Sequence, residues 1–438
     1  MSLRSLLRLA TAFVVVPAAL VTLAPAATAA GVIVVALDGS GDTTSVDTAI
    51  QIAAPGDVIL VREGNYQPLG PLDPEGFHDI TKPLTMVGDG AGAAIGMLRV
   101  QNIAAGQEVV LRNLTIAGPL FPGSFFEKLG VRDCAGAVVF ENCKVTGITG
   151  PNPVEEGLPA VGLRNSDAVT FTRCTLRGGS GLTPTSPPFI VDAGPGGPGV
   201  LVTDSKVAFH HCTVIGGAAG TDAIGTVVSK PGGDALQIGE TSTVFIAGGS
   251  VTGGKGNDGG DPAFPEAAAG GDGLVMNGLF SLVRLVGMTV AGGAGGTLAD
   301  GSSAPSGAGQ VVTAGAVESY PEAARGTAMP ATLDEGEGGT LGISGAPGEL
   351  GKIMVGLDLV HAQLGGKKGV FNLGGTFVGP LVLGTIPPSG LLEVPVSFPR
   401  GTLLGLEGLR LDFQALTFGA EGLMFGNPSS TVLLGPGF

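Results

Sequence analysis

A short sequence motif that recurs between residues 109 and 292 restricts the fold more than any other feature of the sequence. Its clearest copies are VVFENCKVTG (138–147), VTFTRCTLRG (169–178) and VAFHHCTVIG (207–216), and weaker copies begin at residues 109, 244 and 283. One position is held in turn by residues that lie 30, 29, 31, 38, 37 and 39 residues apart, namely Leu84, Leu114, Cys143, Cys174, Cys212, Gly249 and Met288. A repeat of this length predicts a solenoid, in which each unit buries its apolar face by stacking on the next. We therefore predict a β-helix.

Residues 1–30 have the pattern of a secretory signal peptide. Arg4 and Arg8 form a basic start, an apolar run extends from Phe13 to Leu23, and Ala27-Thr28-Ala29 is a small-residue cleavage site. The apolar run is too short to span a bilayer, and no later stretch of the sequence has the pattern of a membrane helix. We therefore expect an exported protein, secreted or held at the cell surface, without a membrane span.

The charge balance restricts the partners. Only 13% of the residues are charged, yet the formal net charge is −15. Such a surface repels nucleic acid, and an acidic polysaccharide would need a bridging cation or a local basic patch. Glycine (79) and proline (31) are abundant, but a hydrophobic content of 44% argues against a disordered chain. We interpret the glycines as residues of turns and loops.

The cysteines do not have the pattern of a disulfide framework. Cys143, Cys174 and Cys212 share one repeat position and should stack along the solenoid, and Cys134 lies at the preceding turn. We expect buried free thiols, which pack as small hydrophobic residues. Since neighbouring coils place stacked Cα atoms about 4.8 Å apart, one disulfide between coils remains geometrically allowed.

The repeat also predicts the core and one corner of each coil. Two inward columns are expected, one of Phe140, Phe171 and Phe209 and one of Val138, Val169 and Val207. Asp133, Asn165 and Asp204 are expected to bend the chain at one corner, because Asn and Asp tolerate a left-handed backbone.

The segment GVIVVALDGSGDTTSVDTAIQIAAPGDVILVREGNY (31–66) predicts a strand, a helix over residues 43–54 and a buried strand. The helix would bury Val46, Ala49, Ile50 and Ala53 and cap the first coil. Together with KPLTMVGDG (82–90), this segment resembles the pectin-lyase-like right-handed parallel β-helix superfamily, in particular pectin methylesterases and bacterial right-handed β-helix repeat proteins. The resemblance covers residues 31–295 and implies an all-β, right-handed parallel β-helix.

We place the β-helix at residues 31–310, a linker at 311–330 and a small β-sandwich at 331–438. Short apolar strands with turn signals, from GTLGISG to STVLLG, predict the sandwich. Their order resembles the C-terminal β-sandwich of secreted planctomycete-type proteins, which implies an accessory or attachment role. The sandwich could also cover the open end of the solenoid.

Almost all variation in coil length follows the glycine of the repeat, in inserts at residues 181–199, 218–233, 255–273 and 294–309. Insertions at one point of a repeat project from one side, which is often the binding side. Neutral variation of exposed loops explains the same pattern.

Motifs for known chemistry are missing or incomplete. The absence of Trp removes the Leu-Trp-Gly-Arg motif that the resemblance to pectin methylesterases implies, and the Asp-Asp and Gly-His-Gly motifs of polygalacturonases are also absent. His210 and His211 are adjacent in a strand and are expected on opposite faces. Neither forms an evident dyad with His78 or His361.

A Ca²⁺-assisted lyase remains open. Calcium prefers oxygen ligands, and the flexible GNDGGD segment (256–261) suggests a site at Asn257, Asp258, Asp261 and Asp272. Further acids on the loop side are Glu155, Glu156, Asp192, Asp222 and Asp234, and Arg132, Arg164, Arg173 or Arg177 would supply the base. Few aromatic residues are available to pack on sugar rings, and Phe121, Phe125 and Phe126 are the only aromatic cluster expected at the surface.

The leading hypothesis is a non-catalytic structural or interaction protein outside the cell, with a polysaccharide or an extracellular or cell-surface protein as partner. The alternative is a Ca²⁺-assisted lyase or other enzyme that acts on acidic polysaccharide. Two or three carboxylates that converge with an arginine outside one coil would favour the enzyme.

Overall fold

The computed structural model describes residues 30–66, 77–90, 92–117, 127–150, 156–182, 193–221, 229–258, 267–298, 300–364, 368–399 and 406–435. The predicted signal peptide lies outside them, apart from Ala30. No helix in these ranges is long and apolar enough to cross a bilayer.

The repeating part of the chain is a right-handed parallel β-helix with three faces, on each of which neighbouring coils pair in parallel. The docking face consists of β1 (Val32–Val35), β2 (Val58–Val61), β5 (Leu84–Gly88), β8 (Glu108–Arg112), β11 (Ala137–Glu141), β14 (Val169–Thr172), the first parts of β17 (Lys206–Ile215) and β19 (Thr243–Thr252), β21 (Leu282–Val286) and β24 (Ala316–Tyr320). The threonine face consists of β3 (Gly64–Tyr66), β6 (Ala93–Ile95), β9 (Thr115–Ile116), β12 (Lys144–Thr146), β15 (Thr175–Arg177), the second parts of β17 and β19, and β22 (Thr289–Ala291).

The third face, called the arginine face below, consists of β4 (Phe77–Ile80), β7 (Met97–Gln101), β10 (Leu129–Arg132), β13 (Val161–Arg164), β16 (Val200–Thr203), β18 (Leu236–Gly239), β20 (Leu274–Met276) and β23 (Gln310–Val312). β23 and β24 continue the solenoid past residue 310, into the segment predicted as a linker. Short strands at the end of a solenoid need few apolar residues, so composition did not reveal them.

Side chains of one repeat position stack inside the solenoid as predicted. The rings of Phe140, Phe171 and Phe209 lie parallel, with successive centroids 4.7 and 5.2 Å apart. The valine column beside them is buried, and all four cysteines are buried free thiols. Stacked aromatic and aliphatic columns exclude water from the whole length of the core.

A short helix, α1 (Val46–Ile52), caps the first coil. Ser45 is its N-cap and accepts a hydrogen bond from the Thr48 amide, while Val46, Ala49 and Ile50 are buried against the coil. The buried ring of His78 lies 2.5 Å from the Asp47 carboxylate and ties the helix to β4. The predicted cap is therefore confirmed.

In several coils the corners on both sides of the docking face contain a left-handed residue. Asp133, Asn165 and Asp204 have φ of 55°, 47° and 47° where the arginine face meets the docking face, which confirms the predicted corner. Asn165 Nδ2 donates to Asp133 Oδ1 at 2.8 Å, so the corner also bonds along the solenoid axis. The corner before the threonine face uses Asn142 and, in a later coil, His211, with φ of 53° at each.

The described parts of the glycine-rich inserts pack into a bundle of extended limbs. An outgoing limb follows the threonine face, and a returning limb such as GPGGPG (194–199) leads into the arginine face. Three-residue spacing, as at Pro195 and Pro198, is typical of polyproline II. The limbs alternate, and the amide of each ladder glycine donates to the carbonyl of the one before it at 2.7–2.9 Å, in the order Gly179, Gly197, Gly217, Gly233, Gly254, Gly271, Gly293 and Gly307.

This glycine bundle, defined by those ladder residues, leaves no room for side chains. A Cβ atom at Gly217 would lie 1.9 Å from the Gly179 carbonyl oxygen, and one at Gly254 would lie 1.8 Å from that of Gly217. Both contacts are far inside van der Waals distance. Glycine is therefore required here for close approach of backbones, which the sequence interpretation as loops missed.

The C-terminal region forms two further sheets. One contains β25 (Gly326–Ala328), β27 (Gly338–Ser344) and β30 (Leu391–Ser397), and the other has the order β26 (Thr332–Asp334), β32 (Gly422–Leu434), β31 (Arg410–Gly419), β28 (Leu350–Gln363) and β29 (Val370–Thr385). A shared apolar core that includes Ile343, Ile353 and Phe413 lies between them, as in a sandwich.

The sandwich packs on the side of the solenoid, along the docking face, where the sequence analysis considered its open end. Val110 and Val139 point outward from the coils and pack against Met354, Leu373 and Leu416 of the larger sheet. Separate apolar contacts lie towards both ends of the face. The C-terminal strands therefore cover an apolar sheet surface that the solenoid alone would expose to water.

Buried ion pairs fix the position of the sandwich. Glu141 on β11 is 1% exposed, and Ser429 Oγ donates to its Oε1 at 2.6 Å. Arg173 bonds the same oxygen, and Arg112 Nε lies 2.8 Å from Oε2, with its N–H off the line to the oxygen. Arg112 also donates to the Met329 carbonyl at 3.1 Å. The carboxylate thus neutralises two arginines between the domains.

Two buried histidines make the docked state sensitive to acid. Burial, and then His211 and His361, lower the pKa of His210 to about 3. Burial is the main cause that lowers the pKa of His361, to about 4; the charge of Lys206 adds to this effect and that of Asp167 opposes it.

His211 occupies a left-handed corner, so strand alternation ends there, and its ring also contacts the sandwich at the Arg325 carbonyl. The expectation that His210 and His211 point to opposite faces was therefore wrong.

We expect the free energy of unfolding to fall as the pH drops below 6.5. The unfolded chain binds protons at these histidines near pH 6.5, whereas the folded chain does so only near pH 3 to 4. Their contribution to the free energy of unfolding is therefore fully present above pH 6.5 and decreases as the pH falls from 6.5 towards 3 to 4. By pH 5 each histidine should remove about 2 kcal/mol. Urea unfolding at pH 7, 6 and 5 tests this, with His210→Leu as the comparison. An unchanged pH slope in that variant would contradict the assignment.

Candidate functional site

Charged side chains converge on the outer surface of the arginine face, in the coils that contain β4, β7, β10 and β13. In one outward column Arg99 follows Asp79 and is followed by Gly130 and Gly162. The next column contains Gln101, Arg132 and Arg164 in register. Because paired parallel strands lie about 4.8 Å apart, these guanidinium groups repeat at short intervals along the solenoid axis.

Two ion pairs order this surface. Arg99 donates two hydrogen bonds of 2.7 Å to the Asp79 carboxylate, and its guanidinium lies 4.8 Å from the centroid of the Phe77 ring. Arg132 donates to Glu127 Oε1 from Nη2 at 2.7 Å and from Nε at 3.2 Å. Arg99, Arg132 and Glu127 are each no more than a quarter exposed, so the pairs are partly desolvated and geometrically defined.

The Glu127 carboxylate lies across a notch in the strand surface that Gly130 and Gly162 create. A Cβ atom at Gly130 would lie 2.8 Å from Glu127 Oε1, and one at Gly162 would lie 2.8 Å from its Cδ. Leu201 and Gln237 continue the same column with full side chains. The notch is therefore confined to two coils.

Positive charge predominates around the notch. Arg164 is exposed, and the described residues provide no ion-pair partner for its guanidinium. Lys128, directly before β10, is 1% exposed, and burial lowers its pKa to about 8. Asp133 directly follows Arg132, and its carboxylate accepts a hydrogen bond from Asn165 Nδ2 at the corner. With Asp79 and Glu127 paired, the surface is a basic patch on a chain of net charge −15, which is a condition for binding a polyanion.

The described members of the predicted calcium site, Asn257, Asp258 and Asp272, have hydrogen-bond partners within the protein. Asn257 is buried and accepts the Lys230 amide at 3.0 Å, and Asp272 accepts the Ala308 amide at 2.6 Å. Hydrogen bonds from Lys255 and the Thr297 amide lower the pKa of Asp258. Asp261 lies outside the described residues. Within the described ranges no group of three metal-ligating side chains is found, and the calcium site stays a prediction.

The other candidate residues have different positions. Glu155, Asp192, Asp222, Phe121, Phe125 and Phe126 lie outside the described residues. Asp234 bonds the Asp272 amide, and burial raises the pKa of Glu156. Arg173 is part of the domain interface, and Arg177 is exposed on the threonine face. Of the four candidate bases, only Arg132 and Arg164 belong to the arginine face.

A cavity of about 350 Å³ lies between the docking face and the sandwich, with Thr85, Glu108, Asp358 and Arg410 in its lining. Burial raises the pKa of Glu108, against the effect of Arg410. Arg410 bonds Glu108, Asp412 and Thr85, so its donors serve the interface. We therefore place the candidate site on the arginine face.

The comparisons with known proteins are sparse. No protein-family model and no curated protein matches the chain. Among solved structures, tailspike protein gp49 from Acinetobacter baumannii bacteriophage Fri1, a capsular polysaccharide depolymerase, is 11% identical at a TM-score of 0.20, over 87% of this chain and 78% of that one. The enzymatically active domain of tailspike protein 4 from bacteriophage CBA120 is 12% identical at a TM-score of 0.20, over 92% and 68%. Similarity this low does not transfer an activity.

Proposed function

We propose that the protein acts outside the cell by binding an anionic polysaccharide along its arginine face. The observation that carries this proposal is the register of Arg132 with Arg164, beside the Arg99 column. Like charges on neighbouring strands repel each other, and an anion that bridges them removes the repulsion. Arginine is suited to this role because its planar fork of donors matches carboxylate and sulfate groups.

The location follows from the predicted signal peptide, and the polymeric nature of the ligand from the repeat. A β-helix presents its side chains in parallel columns, so a ligand with regularly spaced charges can meet several coils at once. Binding through several weak contacts gains affinity because the later contacts are intramolecular. Few aromatic side chains are exposed in the described part of the chain, which fits recognition by charge better than recognition by stacking on sugar rings.

Binding of polygalacturonate, alginate and dextran sulfate to the purified protein, with neutral dextran for comparison, tests the proposal. We expect salt-sensitive binding to a polyanion and none to dextran. Changing both Arg132 and Arg164 to alanine should weaken binding about tenfold or more, because two charge-assisted contacts are lost. Arg177→Ala is the matched control, since Arg177 is an exposed arginine on the threonine face of the coil that contains Arg164. Equal losses in both variants would contradict the assignment of the face.

A second candidate function is elimination on the same polysaccharide. The exposed guanidinium of Arg164 would supply the base that such a reaction needs. Counting new chain ends after incubation with the same polymers, with Ca²⁺ and with chelator, separates the two functions. Turnover that chelator abolishes would replace binding by Ca²⁺-assisted elimination.

A further inference from the structure

Glu127 occupies a position in which its carboxylate meets the arginine face from outside, as a ligand group would. It lies two residues before β10, and its side chain folds back over the strands to reach Arg132. Only 14% of the side chain is exposed. The carboxylate is thus held against the sheet surface, partly shielded from water.

The backbone conformation of the two glycines under Glu127 does not require glycine. Gly130 and Gly162 lie inside paired strands, and neither has positive φ. Glycine in a strand weakens it and often marks the close approach of a ligand or another group. For a Cβ atom at Gly162, the three nearest atoms all belong to Glu127. The missing side chains therefore make space for a carboxylate.

The charges around the notch exceed what Glu127 can neutralise. Arg132 is paired with Glu127, and Arg164 lies beside it in register. Arg99 approaches from the preceding coil, with its Cγ 3.7 Å from the Cβ position of Gly130, and Asp79 holds its guanidinium. One internal carboxylate thus lies next to a second arginine that an external anion can reach.

We propose that the Gly130–Gly162 notch is a subsite for a carboxylate of the polysaccharide and that Glu127 occupies it in the unbound protein as an internal competitor. This inference rests on the proposed function and names its ligand as a polyuronate. On binding, the uronate carboxylate takes the place of Glu127 on Arg132 and also contacts Arg164, while Glu127 moves out to solvent. With competition of this kind, the apparent affinity equals the intrinsic affinity multiplied by the fraction of molecules in which the notch is open.

The test compares two variants that remove the same charge from the same face. Glu127→Gln should bind polygalacturonate about tenfold more tightly than the unaltered protein, because a neutral amide competes weakly for Arg132. Asp79→Asn also removes one carboxylate but opens no notch, and its gain should be clearly smaller. Equal gains would show an effect of net charge alone and overturn the inference. Dextran sulfate separates sulfate from carboxylate, and an equal gain there would overturn the choice of a uronate.

A second pair of variants tests the notch. Glu127→Ala should also increase affinity for polygalacturonate, and adding Gly162→Ala should abolish that increase by filling the empty space. An unchanged increase in the double variant would overturn the notch as the subsite. Binding by the unaltered protein without a gain in any Glu127 variant would overturn the inference and leave the proposed function intact. No polyuronate binding by any of these proteins would overturn both the inference and the proposed function.

Discussion

Replacing Gly217 by alanine is expected to destabilise the solenoid by about 3 kcal/mol or more and to leave much of the protein unfolded or aggregated. The added methyl group would lie 1.9 Å from the Gly179 carbonyl oxygen and 2.9 Å from the Gly197 amide nitrogen. Both atoms belong to backbone that is held by hydrogen bonds from neighbouring limbs. No side-chain rotation can relieve the contact, so the strain must break the ladder.

Gly239→Ala is the matched control in the same solenoid. A Cβ atom there would meet its nearest neighbour at 3.6 Å, an ordinary contact, and Gly239 has no positive φ. We expect this variant to fold normally, with at most a small gain from reduced freedom of the unfolded chain. Urea unfolding followed by circular dichroism measures both variants. Equal stability of the two proteins would show that the glycine bundle is not required for folding.

Glu141→Ala is expected to reduce the free energy of unfolding by about 3–5 kcal/mol, which is typical when one partner of a buried ion pair is removed. Arg112, only 2% exposed, would keep its charge without a carboxylate. The Ser429 hydroxyl and the Ser430 amide would lose their acceptor in the same interface. The sandwich should therefore dock less firmly and expose the apolar docking face.

Thermal unfolding and limited proteolysis measure this loss, and Asp167→Ala provides the control. Asp167 pairs with Lys206 in the same solenoid, but both side chains are more than half exposed. Loss of such a pair changes stability by about 0–1 kcal/mol. If Glu141→Ala were as stable as the control, the buried ion pairs would not be what holds the two domains together.

The repeat made the solenoid predictable because each coil places the same side chain at the same depth. The stacked rings of Phe140 and Phe171, the left-handed Asp133 and the helix cap follow from local chemistry repeated in register. The sandwich was also recognisable, from its alternating strands. Its position was not, because docking depends on residues far apart in sequence.

One signal for the docking face was present in the chain. β8 and β11 have apolar residues at outward as well as inward positions, for example Val110 between Val109 and Leu111. A strand that is apolar on both sides is buried on both sides. The sequence analysis considered only the two inward columns, so the covering layer was missed.

The candidate site was partly visible in two similar strand sequences, LGVR (129–132) and VGLR (161–164). Their arginines were named as candidate bases, but the glycines were taken as turn residues. Glu127 carried no signal, because its role depends on a side chain that folds back across two strands. Spacing along the chain cannot reveal such a contact.

The glycine bundle makes the solenoid a host for foreign peptide segments. The ladder from Gly179 to Gly307 uses main-chain groups only, and its limbs are joined by stretches of unequal length, for example residues 183–192 and 222–228. Because the ladder makes no use of side chains, the segments between its limbs can differ in sequence without loss of these hydrogen bonds. Epitopes, affinity tags or short enzyme-recognition sequences can therefore be exchanged in these segments as cassettes of a single scaffold.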